Sequence, residues 1–256
     1  MRKNQQLQAG FTLVEIAIVL LVVTILLGYT VAMFPVQQDL KRSRQVEREL
    51  DQIIEQLIAF SQINGRLPCP DTNAGAGTID GLEDALANDC EAYFGFLPAR
   101  TLGMNGKFND QGGLIDPWGS GYRYAVSNVD VLADNVFELV SANGIRNAGI
   151  AAVQPDLFVC DGSTVLANDL DCTTVTGGTQ VVGNVAAVVI SLGKDRGSIA
   201  SNVQAENTDD FHDGRNDKVY IFSTRTDTVG GEFDDVVKWL PTNQLFSRMI
   251  EAGQLP

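Results

Sequence analysis

The chain has 256 residues, 45% of them hydrophobic, and a formal net charge of -14 with a pI near 4.4. That length suits one anchoring segment plus one globular domain. With 18 Lys and Arg against 32 Asp and Glu, nucleic-acid binding is excluded, because neutralising phosphates takes a basic surface; an acidic surface instead suits an exported face and attracts divalent cations.

Residues 1–10, MRKNQQLQAG, are polar and carry Arg2 and Lys3. The 24 residues from Phe11 to Phe34 are almost wholly apolar. As helix they would cover about 36 Å, enough for a hydrocarbon core about 30 Å thick. The basic flank predicts a cytoplasmic start and an exported remainder. A secretory signal would be cut after its apolar stretch. Here the polar run PVQQDLKRSRQVERELDQ follows at once, and the small pair Ala9-Gly10 precedes the stretch instead. Glu15 alone breaks the apolar run. An ionisable group at membrane depth costs several kcal/mol unless paired, which makes Glu15 a functional candidate.

Gly10-Phe11-Thr12-Leu13-Val14-Glu15 resembles the GFTLVE signature of type IV prepilins and type II secretion pseudopilins. The resemblance implies cleavage between Gly10 and Phe11 by a prepilin peptidase, N-methylation of the new Phe11 amine, and an assembly role for Glu15. In a filament the Glu15 carboxylate would pair with the Phe11 ammonium of a neighbouring subunit, relieving two buried charges.

Beyond the apolar stretch, Val46, Leu50, Ile53, Leu57 and Phe60 recur at steps of four and three, widened by Ile54 and Ile58. This pattern continues the helix with an apolar stripe against the globular domain. Asn64-Gly65 predicts its end, and Pro35 a kink or local relaxation.

After Gly65, turn residues abound between short apolar runs. Strands are expected at Tyr122–Val126, Val136–Val140, Val181–Leu192 and Val219–Phe222, and one late helix around Thr242–Ala252. The expected fold class is α+β: a long N-terminal membrane-anchoring helix packed on an antiparallel β-sheet domain, the pilin fold. The cysteines, Cys69, Cys90, Cys160 and Cys172, lack zinc spacing, and their even number suggests two disulfides. Of three possible pairings the local one, Cys69–Cys90 with Cys160–Cys172, is preferred.

Two further segments extend the resemblance. Asp116-Pro117-Trp118-Gly119 with Tyr122-Arg123-Tyr124 is similar to a DPWG…Y-x-Y segment of major pseudopilins; physically it is a turn that frees Trp118 to pack on the helix. Ile190-Ser191-Leu192-Gly193-Lys194-Asp195, followed by Glu206-Asn207-Thr208-Asp209, resembles the calcium loop of those proteins, with a longer intervening stretch and Lys194 and Arg196 intruding. The implied calcium ligands are Asp195, Glu206, Asp209, Asp210, Asp213 and Asp217, oxygen donors of the kind calcium takes. Asp234-Asp235 ahead of Trp239 is similar to the end of pseudopilin domains.

No enzyme is expected. The single histidine, His212, lies in an acidic loop. The adjacent Asp234 and Asp235 read as surface residues rather than a glycosidase pair, and no phosphate loop is present. The expected organisation is a cleaved leader at 1–10, a transmembrane and amphipathic pilin helix at 11–64 and an exported α+β domain at 65–256. The expected function is a structural subunit of a type IV pilus-like filament, a minor pilin. The alternatives are a type II secretion pseudopilin and a calcium-stabilised adhesin carried on a pilin helix. Expected partners are other pilins or pseudopilins, the peptidase–methylase and the inner membrane, with no nucleic acid. The expected location is single-pass in the inner membrane with a periplasmic domain, extracellular in an assembled pilus.

Overall fold

The structure is a computed structural model. It describes residues 12–72, 79–161, 171–172, 179–194, 207, 218–226 and 233–256, without the side chains of 29–36. The chain divides into two compact units, Met1–Arg44 and Gln45–Pro256. Helix α1, Leu13–Asn64, contributes to both.

In the first unit α1 exposes an apolar surface from Leu13 to Leu27. Spanning a bilayer takes about 20 predominantly apolar residues. The apolar part of α1 whose side chains are described runs only from Leu13 to Gly28 and includes Glu15. Among the described residues no helix is long and apolar enough to cross a membrane. This corrects the expected transmembrane anchor, and with it the single-pass inner-membrane location.

In the second unit the stripe on α1 meets a sheet. Val46, Leu50, Ile53 and Leu57 are fully buried, and α1 stops at Asn64, where Gly65 takes φ +69°. Only glycine adopts that left-handed geometry cheaply. The strands are β1 Phe94–Phe96, β2 Arg123–Val126, β3 Leu157–Asp161, β4 Thr179–Ser191, β5 Val219–Ile221 and β6 Val236–Pro241. Two shorter helices complete the unit, α2 Gly144–Ala148 and α3 Thr242–Glu251. Strand β4 is the axis of the sheet: its second half pairs antiparallel with β2 and β6, and its first half with β3.

The sheet is mixed, not antiparallel. β5 runs parallel to β3, with Phe158 opposite Val219 and Cys160 opposite Ile221. β5 does not follow β3 directly: β4 lies between them in sequence and runs antiparallel to β3, so a second reversal after β4 brings β5 back to the direction of β3. The described fold is therefore α+β with a mixed sheet, which corrects the expected membrane-anchored helix on an antiparallel sheet.

The continuous apolar run of β4 follows from burial on both faces. Ala187 and Val189 join the α1 stripe, Tyr93, Tyr122, Tyr124, Leu245 and Met249 in one core. Val188 and Ile190 join Leu157, Val159, Tyr220 and Val237 in a second core on the opposite face. The strand expected at Val136–Val140 is instead a series of turns. Ala133 and Asn135 take positive φ, Val140 N–H bonds Phe137 O, and the Glu138 carboxylate accepts the Val131 N–H at 3.1 Å. Leu139 and Val140 are still buried, so their apolar character serves the core without a ladder.

Candidate functional site

The N-terminal site begins at Thr12. Its backbone N–H and its hydroxyl both donate to Glu15 Oε2 at 3.3 Å, and the Glu15 N–H donates to Thr12 Oγ1 at 3.3 Å. This reciprocal pair is a capping box, which satisfies donors that a helix start otherwise leaves bare. A carboxylate there also complements the positive end of the helix dipole. The sequence pattern Thr-x-x-Glu carried this signal, beside the resemblance that singled out Glu15. Gly10 and Phe11 lie outside the described residues. Next to the cap, Leu13, Val14, Ile16, Ile18, Val19, Leu20 and their successors to Leu27 are open to solvent, Leu13 at 85%.

In the second unit the segments that carry the wider resemblance meet. Asp116 Oδ1 accepts the backbone N–H groups of Trp118, Gly119 and Ser120 at 2.9, 2.8 and 2.9 Å. Its Oδ2 accepts the Ser191 hydroxyl at 2.7 Å. Gly119, at φ +95°, closes the turn, and Trp118 is buried in the core that holds the α1 stripe. At the end of β4, Lys194 N–H donates to Asp234 Oδ2 at 2.5 Å. Gly193 takes φ +62°, and a Cβ there would sit 2.5 Å from the Asp234 carboxyl carbon. Asn207 is fully buried; its amide group donates to Ile221 O at 3.0 Å and Asp235 Oδ2 at 2.9 Å, and its oxygen accepts Ile221 N–H at 2.9 Å. Asp234 and Asp235 are thus buried hydrogen-bond acceptors, at 3% and 7% exposure, and not surface residues.

The six residues expected to bind calcium, Asp195, Glu206, Asp209, Asp210, Asp213 and Asp217, lie outside the described residues, as does His212. Among the described residues no group of three or more His, Cys, Asp or Glu could hold a metal ion. The neighbouring Asn207 is engaged with Ile221 and Asp235. Its described role is to tie β5 to the segment before β6.

Two disulfides, Cys69–Cys90 and Cys160–Cys172, close the loops. Beside the first lies Asp71, 1% exposed, whose Oδ2 accepts the Gly81 N–H at 2.6 Å. Burial, reinforced by the charges of Asp80 and Asp84, pushes its carboxyl up to about 6 against a Gly81 bond that pulls it down. A folded pKa above the unfolded one means that the folded state holds a proton the unfolded state has lost. Stability therefore falls as pH rises from about 4 through about 6, by on the order of 2–3 kcal/mol for this group. Asp71→Asn should melt above wild type at pH 7 and match it near pH 4. Thermal melts across that range check this; equal pH slopes for the two proteins would refute it.

Tyr122, also fully buried, donates to Glu49 Oε2 at 2.5 Å. Burial, then that hydrogen bond and the Glu49 charge, raise its phenol far above the usual tyrosine range. The residue ties β2 to α1 in neutral form. Among the described residues, clefts border α1 on two sides. One, of about 240 Å³, lies between Gln45, Glu49, Met104 and Lys107. The other, of about 560 Å³, lies between Asp51, Glu55, Phe222, Lys238 and Trp239. The sequence matches no family model, no curated protein and no solved structure.

Proposed function

We propose that the chain is a structural subunit of a type IV pilin-like filament, a minor subunit, processed between Gly10 and Phe11 and assembled through the N-terminal face of α1. The observation that carries this reading is the uncovered apolar surface from Leu13 to Leu27. Soluble monomers rarely leave so large an apolar surface open. The same surface on further copies of the chain covers it, as identical helices packed side by side bury one another's apolar residues. The helix begins beside the proposed cut, with Thr12 as its cap. On this reading Glu15 pairs with the Phe11 ammonium of a neighbouring copy.

Two substitutions separate the charge of Glu15 from its capping role. Glu15→Gln keeps an acceptor for Thr12 and loses the charge; Glu15→Leu loses both. Loss of the cap alone costs about 1 kcal/mol, too little to unfold the second unit. Both variants are expected to leave the melting of residues 45–256 unchanged. Both should lower the share of the chain in isolated filaments by about tenfold, the equivalent of 1.4 kcal/mol. Wild-type filament content of Glu15→Gln, measured by quantitative immunoblot against total protein, would refute the charge pairing.

A further inference from the structure

The charge of the chain is split between its units. Up to Arg44 there are five basic and two acidic residues, a net +3, so residues 45–256 carry -17 of the overall -14. In the first unit Lys41, Arg42 and Arg44 are exposed. Arg42 approaches Asp39 at 4.0 Å, and among the described residues Lys41 and Arg44 form no ion pair.

In the second unit Glu47, Asp51 and Glu55 recur every four residues and are exposed. That spacing puts them on one face of α1, away from the buried Val46, Leu50, Ile53 and Leu57. Asp51 and Glu55 form one wall of the 560 Å³ cleft, whose other walls include Phe222, Lys238, Trp239 and Pro241. Phe222 and Trp239 meet edge to face at 5.7 Å, and Phe222 stays 43% exposed. Carboxylates beside open aromatic rings are the surroundings a guanidinium takes best, since it pairs with the first and stacks on the second.

Resting on the filament reading, we propose that this cleft receives the basic segment Lys41–Arg44 of a second copy of the chain, an ionic contact between successive subunits. Charge complementarity selects that occupant: the segment is basic, the two carboxylates of the cleft outnumber its one lysine, Lys238, and every copy carries both. The carboxylates already have partners within the chain. Asp51 pairs with Lys238 at 2.6 Å and Glu55 with Arg248 at 3.4 Å. These are open surface pairs: the two carboxylates are 63% and 57% exposed. A carboxylate has lone pairs for a second cation, and exposed pairs hold their partners weakly. Apolar burial along Leu13–Leu27 would supply adhesion between copies, while the ionic contact would supply register and selectivity.

The test is self-association of the full-length chain, followed by sedimentation velocity at about 0.05 M and about 0.5 M salt, across which screening of exposed charges tightens severalfold. Wild type is expected to associate about tenfold more weakly at the higher salt. Lys41→Glu with Arg44→Glu should show that loss already at low salt; both positions lie outside the 45–256 unit, so its fold is untouched. Asp51→Lys with Glu55→Lys should do the same, and all four changes in one chain should restore association, because complementarity returns with its sign reversed. A Lys41→Glu, Arg44→Glu chain that associates like wild type, or a four-fold variant that does not recover, overturns the docking and leaves the filament reading standing. A wild-type chain that fails to associate at either salt overturns both.

Discussion

Replacing Asp116 by alanine is expected to destabilise residues 45–256 by about 3–5 kcal/mol, the range for breaking a buried hydrogen-bond network around a carboxylate. Asp116 is 2% exposed and holds three backbone N–H groups and the Ser191 hydroxyl. Alanine leaves the Trp118 and Ser120 N–H groups and the Ser191 hydroxyl without that acceptor, while the Gly119 N–H keeps its bond to the carbonyl of residue 116 at 3.0 Å. Ser191 is fully buried at the end of β4, so the damage reaches the central strand as well as the turn. For a unit of this size each kcal/mol shifts the melting temperature by about 2–4 °C, giving a fall of about 10 °C. Asp116→Asn keeps an acceptor for the turn, and the Ser191 hydroxyl can rotate to accept from its amide, so a loss of about 1–2 kcal/mol is expected. A melting point of Asp116→Ala within two degrees or so of wild type would show that the turn carries no such network.

The Cys69–Cys90 bridge should be worth about 3 kcal/mol, and Cys160–Cys172 slightly less, because the stabilisation grows slowly with the length of loop closed. The sequence separations are 21 and 12. Cys69→Ala with Cys90→Ala removes two buried sulfurs without adding a polar group, so the measured loss reports the cross-link. The expected result is a lower urea midpoint with reducing agent absent, and little further change on adding it at that bridge. Peptide mapping without reduction should recover Cys69 linked to Cys90 and Cys160 linked to Cys172; crossed pairs or free thiols would contradict the structure.

The helical part of the domain was readable from the sequence because a single period of apolar residues encodes both helix and buried face. Val46, Leu50, Ile53 and Leu57 gave the stripe, Asn64-Gly65 its stop, and the unbroken apolar run around Val185–Leu192 a central strand. Strands β1, β3 and β6 were missed. β1 is three residues long, and β6 mixes Lys238 and Trp239 into an irregular burial pattern, so neither shows a clean alternation. The parallel direction of β5 depends on the path of the chain between 162 and 218, which no local pattern encodes. Val136–Val140 shows the opposite error: apolar residues buried by turns look like a strand when only composition is read.

The candidate sites divided in the same way. Glu15 stood out as a lone charge in an apolar run, and its capping geometry with Thr12 could have been found in the Thr-x-x-Glu spacing. Asp234 and Asp235 looked like surface acids because sequence shows a charge without showing its donors. Lys194 N–H and the Asn207 amide reach them from 40 and 28 residues away. The membrane expectation rested on the apolar length of Phe11–Phe34 and the basic flank of Arg2 and Lys3. Among the described residues the apolar helix is too short to span, and the proposed filament would cover its open face with other copies of the chain.

The proposed filament role is tested most directly by the intact mass of the chain recovered from filaments isolated from the producing cells. The account predicts a species that begins at Phe11, carries one methyl group on its amine and retains both disulfides. A chain that still carries Met1 to Gly10, or is absent from the filaments while abundant elsewhere in the cell, would contradict it.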